Sequence, residues 1–596
     1  MAPDTLSIET SVGAVNPITA EIIRHALLSI PNQIDINITR TAYSPLVYEY
    51  KDYAVGIVDR DGKLISQSQG GIPLFVANAL GTAVADGIAV HGRDGIEPGD
   101  VIFSNHAGTL GQHLNNVVMY TPVFAGTECV AFMAVLVHWI DVGGMVVGSC
   151  APVGPTEIYQ EGIQYRSVKL WSRGKPVKDV YRIIEYNTRF PRMLLGDIES
   201  QLAGCLLGRD LISGVITKYG LTSVRAAVEL MWQRSESAAR AAIRKIPDGV
   251  YRASSFLDND GVELDKTLAV DVEVRVAGEE MTVDFSGIAA QVKGPINSGR
   301  EGGAVTAARI AFKYLAAPDE PANDGSFRPL HVVIPDGKFL SAAPDAPMGM
   351  YSAPLPTVID TVVKALVTAA PEHVAAGHHG NFCIHSLAGH DPRTGEPFYN
   401  LSAADGGWGA SLGHDGPAHY KTMSHGDTLD IPIEVQEALY PLRIERLSIR
   451  PDSAGAGEWR GGIGLEKVIT PLASCRVHVL NERVGCPPWG ILGGGDGAAP
   501  SISIERPDQK PQEVRKANIP IEPGKRVRVL TSGGGGYGDP LRRDTAQVAA
   551  DVRRGYVTSE AAVRLYGVVV DQDGKVNEAD TATARATLAA KSAPRR

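Results

Sequence analysis

The chain has 596 residues, 44% hydrophobic and 21% charged, with 57 Lys+Arg against 67 Asp+Glu and a formal net charge of −10. That length exceeds what one hydrophobic core holds and predicts two to four domains. The acidic balance, with no basic stripe to displace phosphate counterions, excludes nucleic acid as a partner. Six cysteines (Cys129, Cys150, Cys205, Cys383, Cys475, Cys486) form no CxxC and no close pair, so they read as reduced thiols of a cytoplasmic protein. No signal peptide and no apolar run of about 18 residues is found, so no membrane partner is expected.

In chain order, residues 1–15 read as a flexible leader. Apolar residues at helical spacing follow from Pro17, with Thr19 as N-cap and Glu21 in the first turn. YAVGIVDRDGKLISQ is a hairpin around Asp61-Gly62. A second helix covers 74–92, a third 187–220, placing Asp197, Gln201 and Cys205 on one face, and a fourth 223–246 with Ser223 as N-cap. From 250 strands alternate with helices at 299–316 and 356–377, and a His-rich segment follows with His378, His379 and His385. From 440 to 530 short strands recur between Gly and Pro turns. GGGGYGDP (533–540) reads as a glycine-rich turn; it lacks the Lys-Ser/Thr and helix of a P-loop. The expected fold is a multidomain mixed α/β protein. It has a helix- and hairpin-rich catalytic domain at 16–248, a central α+β domain at 249–400, a β-rich module at 401–540, and a helical segment with a tail at 541–596.

The stretch 103–144 carries the chemistry. His113 and His138 each close a Gly-rich or apolar run, and each stands just before another polar residue, Asn116 and Asp141. VAFMAVLVHW reads as a buried strand and DVGG turns the chain, so His138 sits at a strand end. An imidazole there is either a ligand or general base facing a cleft, or a core histidine bonded to a backbone carbonyl. Asp52 stands at the start of the hairpin, where an isolated carboxylate would be solvated.

Six blocks in order, RTAYSPLVYEYKDYAVGIVDRDGKLISQ (40–67), NHAGTLGQHLNN (105–116), VHWIDVGG (137–144), IYQEGIQYRSVKL (158–170), DFSGIAAQVKGPIN (284–297) and GGGGYGDPLRRD (533–544), resemble the hydantoinase B family. That family comprises the B-type subunits or domains of ATP-dependent N-methylhydantoinases, 5-oxoprolinases, caprolactamase, and acetone and acetophenone carboxylases. The resemblance implies a divalent metal held at Asp52, His113, residue 116 and His138. This chain departs from the family pattern: Asn116 and His106 stand where the family has aspartates, and Trp139 where it has a second histidine. A neutral amide is a poorer ligand for zinc or manganese than a carboxylate. Weakly held Zn, Mn or Mg, or no metal, is therefore the expectation.

The resemblance further implies that ATP is handled by a separate hydantoinase A-type subunit, in a hetero-oligomer. The altered ligand set disfavours water activation, and Trp139 offers an aromatic wall, with Asp141, His106 and Asn116 completing the pocket. The expectation is thus an acetophenone carboxylase-like subunit that joins an enol phosphate to CO₂ from bicarbonate, using His113, His138 and Asp52. The alternatives are a cyclic amide hydrolase subunit and a non-catalytic structural paralogue.

Overall fold

Helix α1 (Pro17–Thr41) begins where Pro17 presets the first helical φ, and its cap is Asn16 rather than Thr19: Asn16 Oδ1 accepts from the Ile18 amide at 2.9 Å. In the computed structural model, residues 15–592 are described apart from 317, 319 and 427. The expected leader lies outside the described residues except for Val15. Buried Ile23, Leu27, Ile30, Ile34 and Ile38 form the inner stripe of α1, which packs against α2 (Pro191–Tyr219) and α3 (Leu221–Ile243). Gly220, and not Ser223, precedes α3 as its N-cap.

These helices cover one face of a seven-stranded sheet built from β1 (Tyr53–Asp59), β2 (Leu64–Gln67), β3 (Val101–Ser104), β4 (Asn116–Ala125), β5 (Glu128–His138), β6 (Val168–Ser172) and β7 (Lys175–Pro176). Its order is β2-β1-β5-β4-β3-β6-β7, and every pairing is antiparallel. The strands β1, β4 and β5 are continuous apolar runs because both faces are covered. On one face Met133 packs on Gly208 of α2; on the other Tyr120 meets Gly87 and Gly56 meets Leu80, both in the helix Ala79–His91. One stretch among the described residues, Pro73–His91, is long and apolar enough to cross a membrane, which the sequence reading did not expect. It is two helices, Pro73–Val76 and Ala79–His91, of which the second lies on this sheet.

A second sheet, ordered β11-β10-β9-β8, contains β8 (Gly249–Leu257), β9 (Leu268–Ala277), β10 (Glu280–Asp284) and β11 (Leu330–Val333). Strict alternation of buried and exposed residues along most of β9 marks a sheet with one wet face, its dry face meeting the helix Leu355–Ala365. The remaining strands are β12 (Ile384–His390), β13 (Pro397–Asn400), β14 (Leu442–Arg450), β15 (Gly464–Pro471), β16 (Cys475–Leu480), β17 (Ser501–Glu505), β18 (Gln512–Glu513), β19 (Lys516–Ile521) and β20 (Arg526–Leu530). They form the sheets β13-β12-β16-β19 and β14-β15-β20-β17-β18. The expected boundary at residue 400 therefore falls inside one sheet.

GGGGYGDP is not a surface turn. Its glycines are buried and bond to other glycine segments: Gly535 N to Gly377 O at 2.8 Å, Gly534 N to Gly462 O at 2.9 Å and Gly536 N to Gly495 O at 2.9 Å. A Cβ on Gly535 would meet the Trp489 carbonyl oxygen at 2.0 Å. Glycine is used here because backbones approach too closely for any side chain.

Candidate metal and catalytic centre

The register of the first sheet builds the site. Asn116 pairs with His138, and Tyr53 pairs with Val137, so Asp52, His138 and Asn116 lie at one end of three neighbouring strands. The His138 amide donates to the Asp52 carbonyl at 3.0 Å and fixes that end. His113 arrives from the preceding loop, its ring 4.9 Å from that of His138, edge to face. Its Nε2 lies 2.7 Å from Asn116 Oδ1.

The loop after β5 brings in a residue that sequence spacing did not single out. Asp141 accepts hydrogen bonds from Gly148 N at 3.2 Å, Ser149 Oγ at 3.1 Å and Arg189 Nη1 at 2.7 Å. These bonds fold 142–150 back on itself, and Ser149 adopts a φ of 61°, the left-handed region. Cys150 Sγ then lies 3.2 Å from His113 Nδ1 and 3.8 Å from His138 Nε2. Among the described residues, His113, His138 and Cys150 are the set whose donor atoms all fall within 4.8 Å of one another.

That geometry fits a metal. Tetrahedral zinc with Zn–S of ~2.3 Å and Zn–N of ~2.05 Å has sulfur–nitrogen edges of about 3.6 Å. The two Cys150 separations bracket this value. Two buried polar atoms beside the cluster, Asp52 Oδ1 and His138 Nδ1, have no protein partner. Burial pushes the His113 imidazole down to about 4 and that of His138 well below its ordinary value, so both are neutral and have a lone pair to donate. Burial pushes the Asp52 carboxyl up to about 7.

Asp52, His113, His138 and Cys150 line one wall of a cavity of about 50 Å³, with Phe382, Tyr399, Leu401, His425 and His478 on the others. This space holds a few waters and is far below the roughly 300 Å³ at which ordinary ligand pockets begin. The Phe382 and His425 rings, 4.1 Å apart and edge to face, form part of this wall.

Other expected pocket residues lie elsewhere. Trp139 is buried in the core, packed on Phe103 and Tyr165, and its Nε1 donates to Gln201 Oε1 at 3.2 Å. It does not line the cavity, because β5 ends at His138 and the next side chain turns to the opposite face. Asp141 is consumed by the loop bonds above. His106 is half-buried beside Thr109 and also off the cavity. Of the downstream histidines, His378 bonds Asp360 at 2.6 Å and His385 bonds Ser402 at 2.8 Å, both in the interior. His425 and His478, which do reach the cavity, were not singled out; neither sits in a spacing that marks a site.

A family model described as hydantoinase B/oxoprolinase matches residues 16–540. The caprolactamase subunit beta of Pseudomonas jessenii is 32% identical over 594 residues, covering 96% of this chain and 100% of that protein. The crystal structure of the ATP-dependent caprolactamase from that organism covers 96% of this chain and 100% of its own, with a TM-score of 0.88 and 30% identity. A nucleotide-free acetone carboxylase structure gives a TM-score of 0.89 over 97% of this chain and 84% of its own, at 21% identity, which is a likeness of fold. The sheet-end site and the match across nearly the whole length agree, and the chain belongs to the hydantoinase B/oxoprolinase family.

Proposed function

We propose that this chain is the B-type catalytic subunit of an ATP-dependent cyclic amide hydrolase. The observation that carries the reading is the convergence of His113, His138 and Cys150 beside a buried Asp52 carboxyl whose Oδ1 has no protein partner. A hydantoinase A-type partner would spend ATP on the amide oxygen, and this chain would open the activated ring. A metal held by His113, His138 and Cys150 would supply water activation near neutral pH. Asp52 Oδ1, with no partner of its own, would take the proton from the attacking water. The apolar walls, Phe382, Ile384 and Leu401, keep bulk water out.

The ketone carboxylase expectation relied on a crippled metal site and on Trp139 as a pocket wall. Cys150 offers a further ligand beside His113 and His138, and Trp139 lies in the core, which supports the hydrolase reading over the carboxylase one. The 32% identity to a caprolactamase subunit along almost the full length points the same way. The test is the complex purified with its A-type partner, assayed for metal content and for ATP hydrolysis driven by a lactam or hydantoin, and by an aromatic ketone with bicarbonate. Stoichiometric metal and ring-dependent, bicarbonate-independent turnover, lost on chelation and regained with zinc, is the expected result. Ketone- and bicarbonate-dependent turnover would establish the carboxylase instead.

A further inference from the structure

Resting on that reading, we propose that Cys150 supplies the anionic metal ligand of this site as a thiolate, and that Asn116 is a positioning residue for His113 and not a ligand. The argument for Asn116 is a count of hydrogen-bond donors. Its Nδ2 donates to Gln112 Oε1 at 2.9 Å and to Tyr351 Oη at 3.0 Å, which uses both amide hydrogens. The orientation is anchored one step further out, since Gln112 Nε2 donates to the Leu74 carbonyl at 3.4 Å and so turns its own oxygen toward Asn116. Flipping Asn116 would set its oxygen against that of Gln112.

Asn116 Oδ1 can only accept, and it faces His113 Nε2 at 2.7 Å. Nδ1 meets one acceptor as well, the Gly349 carbonyl, but at 3.4 Å; the far shorter Nε2 contact holds the ring proton, and Nδ1 keeps the lone pair. Nδ1 is the atom that faces Cys150 Sγ at 3.2 Å. The ring is further held edge-on by Tyr351, with centroids 5.1 Å apart. An aspartate at 116 would leave the Gln112 oxygen facing another acceptor. An asparagine at this place thus selects the tautomer that aims His113 at the sulfur.

The Cys150 thiol donates to Asn115 Oδ1 at 3.3 Å, and a divalent ion seated between the sulfur and the two imidazoles would take the place of that proton. Sulfur in the set shifts preference toward thiophilic ions, zinc and cobalt, and away from manganese and magnesium. The Asn116 and Cys150 departures are then two halves of one change of ligand set.

The experiment uses the purified complex stripped of metal and titrated with Co²⁺, Zn²⁺ and Mn²⁺, with absorption spectra and bound-metal analysis as readouts and lactam-dependent turnover measured in parallel. The wild type should show a near-ultraviolet thiolate-to-cobalt charge-transfer band and prefer zinc to manganese. Cys150→Ser should lose the band, and Cys150→Asp should lose it while still holding a metal. Asn116→Ala should keep the band at saturating cobalt but bind about 10–100-fold more weakly, as expected for loss of a group that orients a ligand. A wild type without the band, a band that survives Cys150→Ser, or tight manganese binding gained by Asn116→Asp would overturn the assignment. Absence of the band with lactam turnover intact would sink the ligand assignment alone; absence of lactam turnover in a zinc-loaded wild type would sink the functional reading.

Discussion

Asp52 is a carboxyl buried at the end of β1, with one oxygen unpartnered and an affinity for protons near neutrality. Asp52→Asn keeps the shape and removes the proton acceptor, so kcat should fall about 10²–10⁴-fold while bound metal stays constant. Loss of metal along with activity would make Asp52 a ligand instead. Trp139 gives the contrasting case. Trp139→Phe removes the Nε1 bond to Gln201 and some packing, so it should cost about 1–3 kcal/mol of stability, read by thermal unfolding, and leave KM unchanged. A changed KM would return Trp139 to the pocket. His113 and His138 were legible because each interrupts a strongly patterned run. Cys150 was not, because its approach depends on Asp141 and on Arg189, 48 residues further along the chain.

At the scale of elements, periodicity located helices and strands well where apolar residues recur strictly, as in α1 and β9, and less well at their ends. Asn16 competes with Thr19 for the start of α1, and Asn16 wins because Pro17 has the φ of a first helical residue and no amide hydrogen to satisfy there, while the Asn16 side chain accepts from the Ile18 amide. The glycine segments show the limit of local reading. A glycine run signals a turn only if the chain around it is solvated, whereas Gly407, Gly462 and Gly534–Gly536 are packed backbone to backbone. Gly535→Ala places a methyl against the Trp489 carbonyl and should destabilise by more than about 4 kcal/mol or prevent folding. A soluble variant with an unchanged melting temperature would show that the contact relaxes easily.

At the scale of the molecule, stability should depend on buried neutral histidines. His385 lies between the Cys383 carbonyl and Ser402, and burial holds its imidazole neutral down to about 3. An unfolded histidine titrates near ~6.5, so between that pH and about 3 the unfolded state binds the extra proton and stability falls as pH drops. The share from His385 alone is about 2 kcal/mol at pH ~5. Melting temperatures at about pH 7.5 and pH 5 should therefore differ less in His385→Gln than in the wild type; an equal gap would refute the assignment.

The sequence by itself determined the family, the mixed α/β class and the strand-end position of His138, because these rest on local pattern and on blocks of residues in fixed order. Only the tertiary structure decided which side chains meet. Sheet register put Asp52, His138 and Asn116 at one edge, a folded-back loop delivered Cys150, and the turn after β5 sent Trp139 into the core. Each of these depends on hydrogen bonds between residues far apart in the chain. No local spacing records such bonds, and the chemistry of the site follows from them.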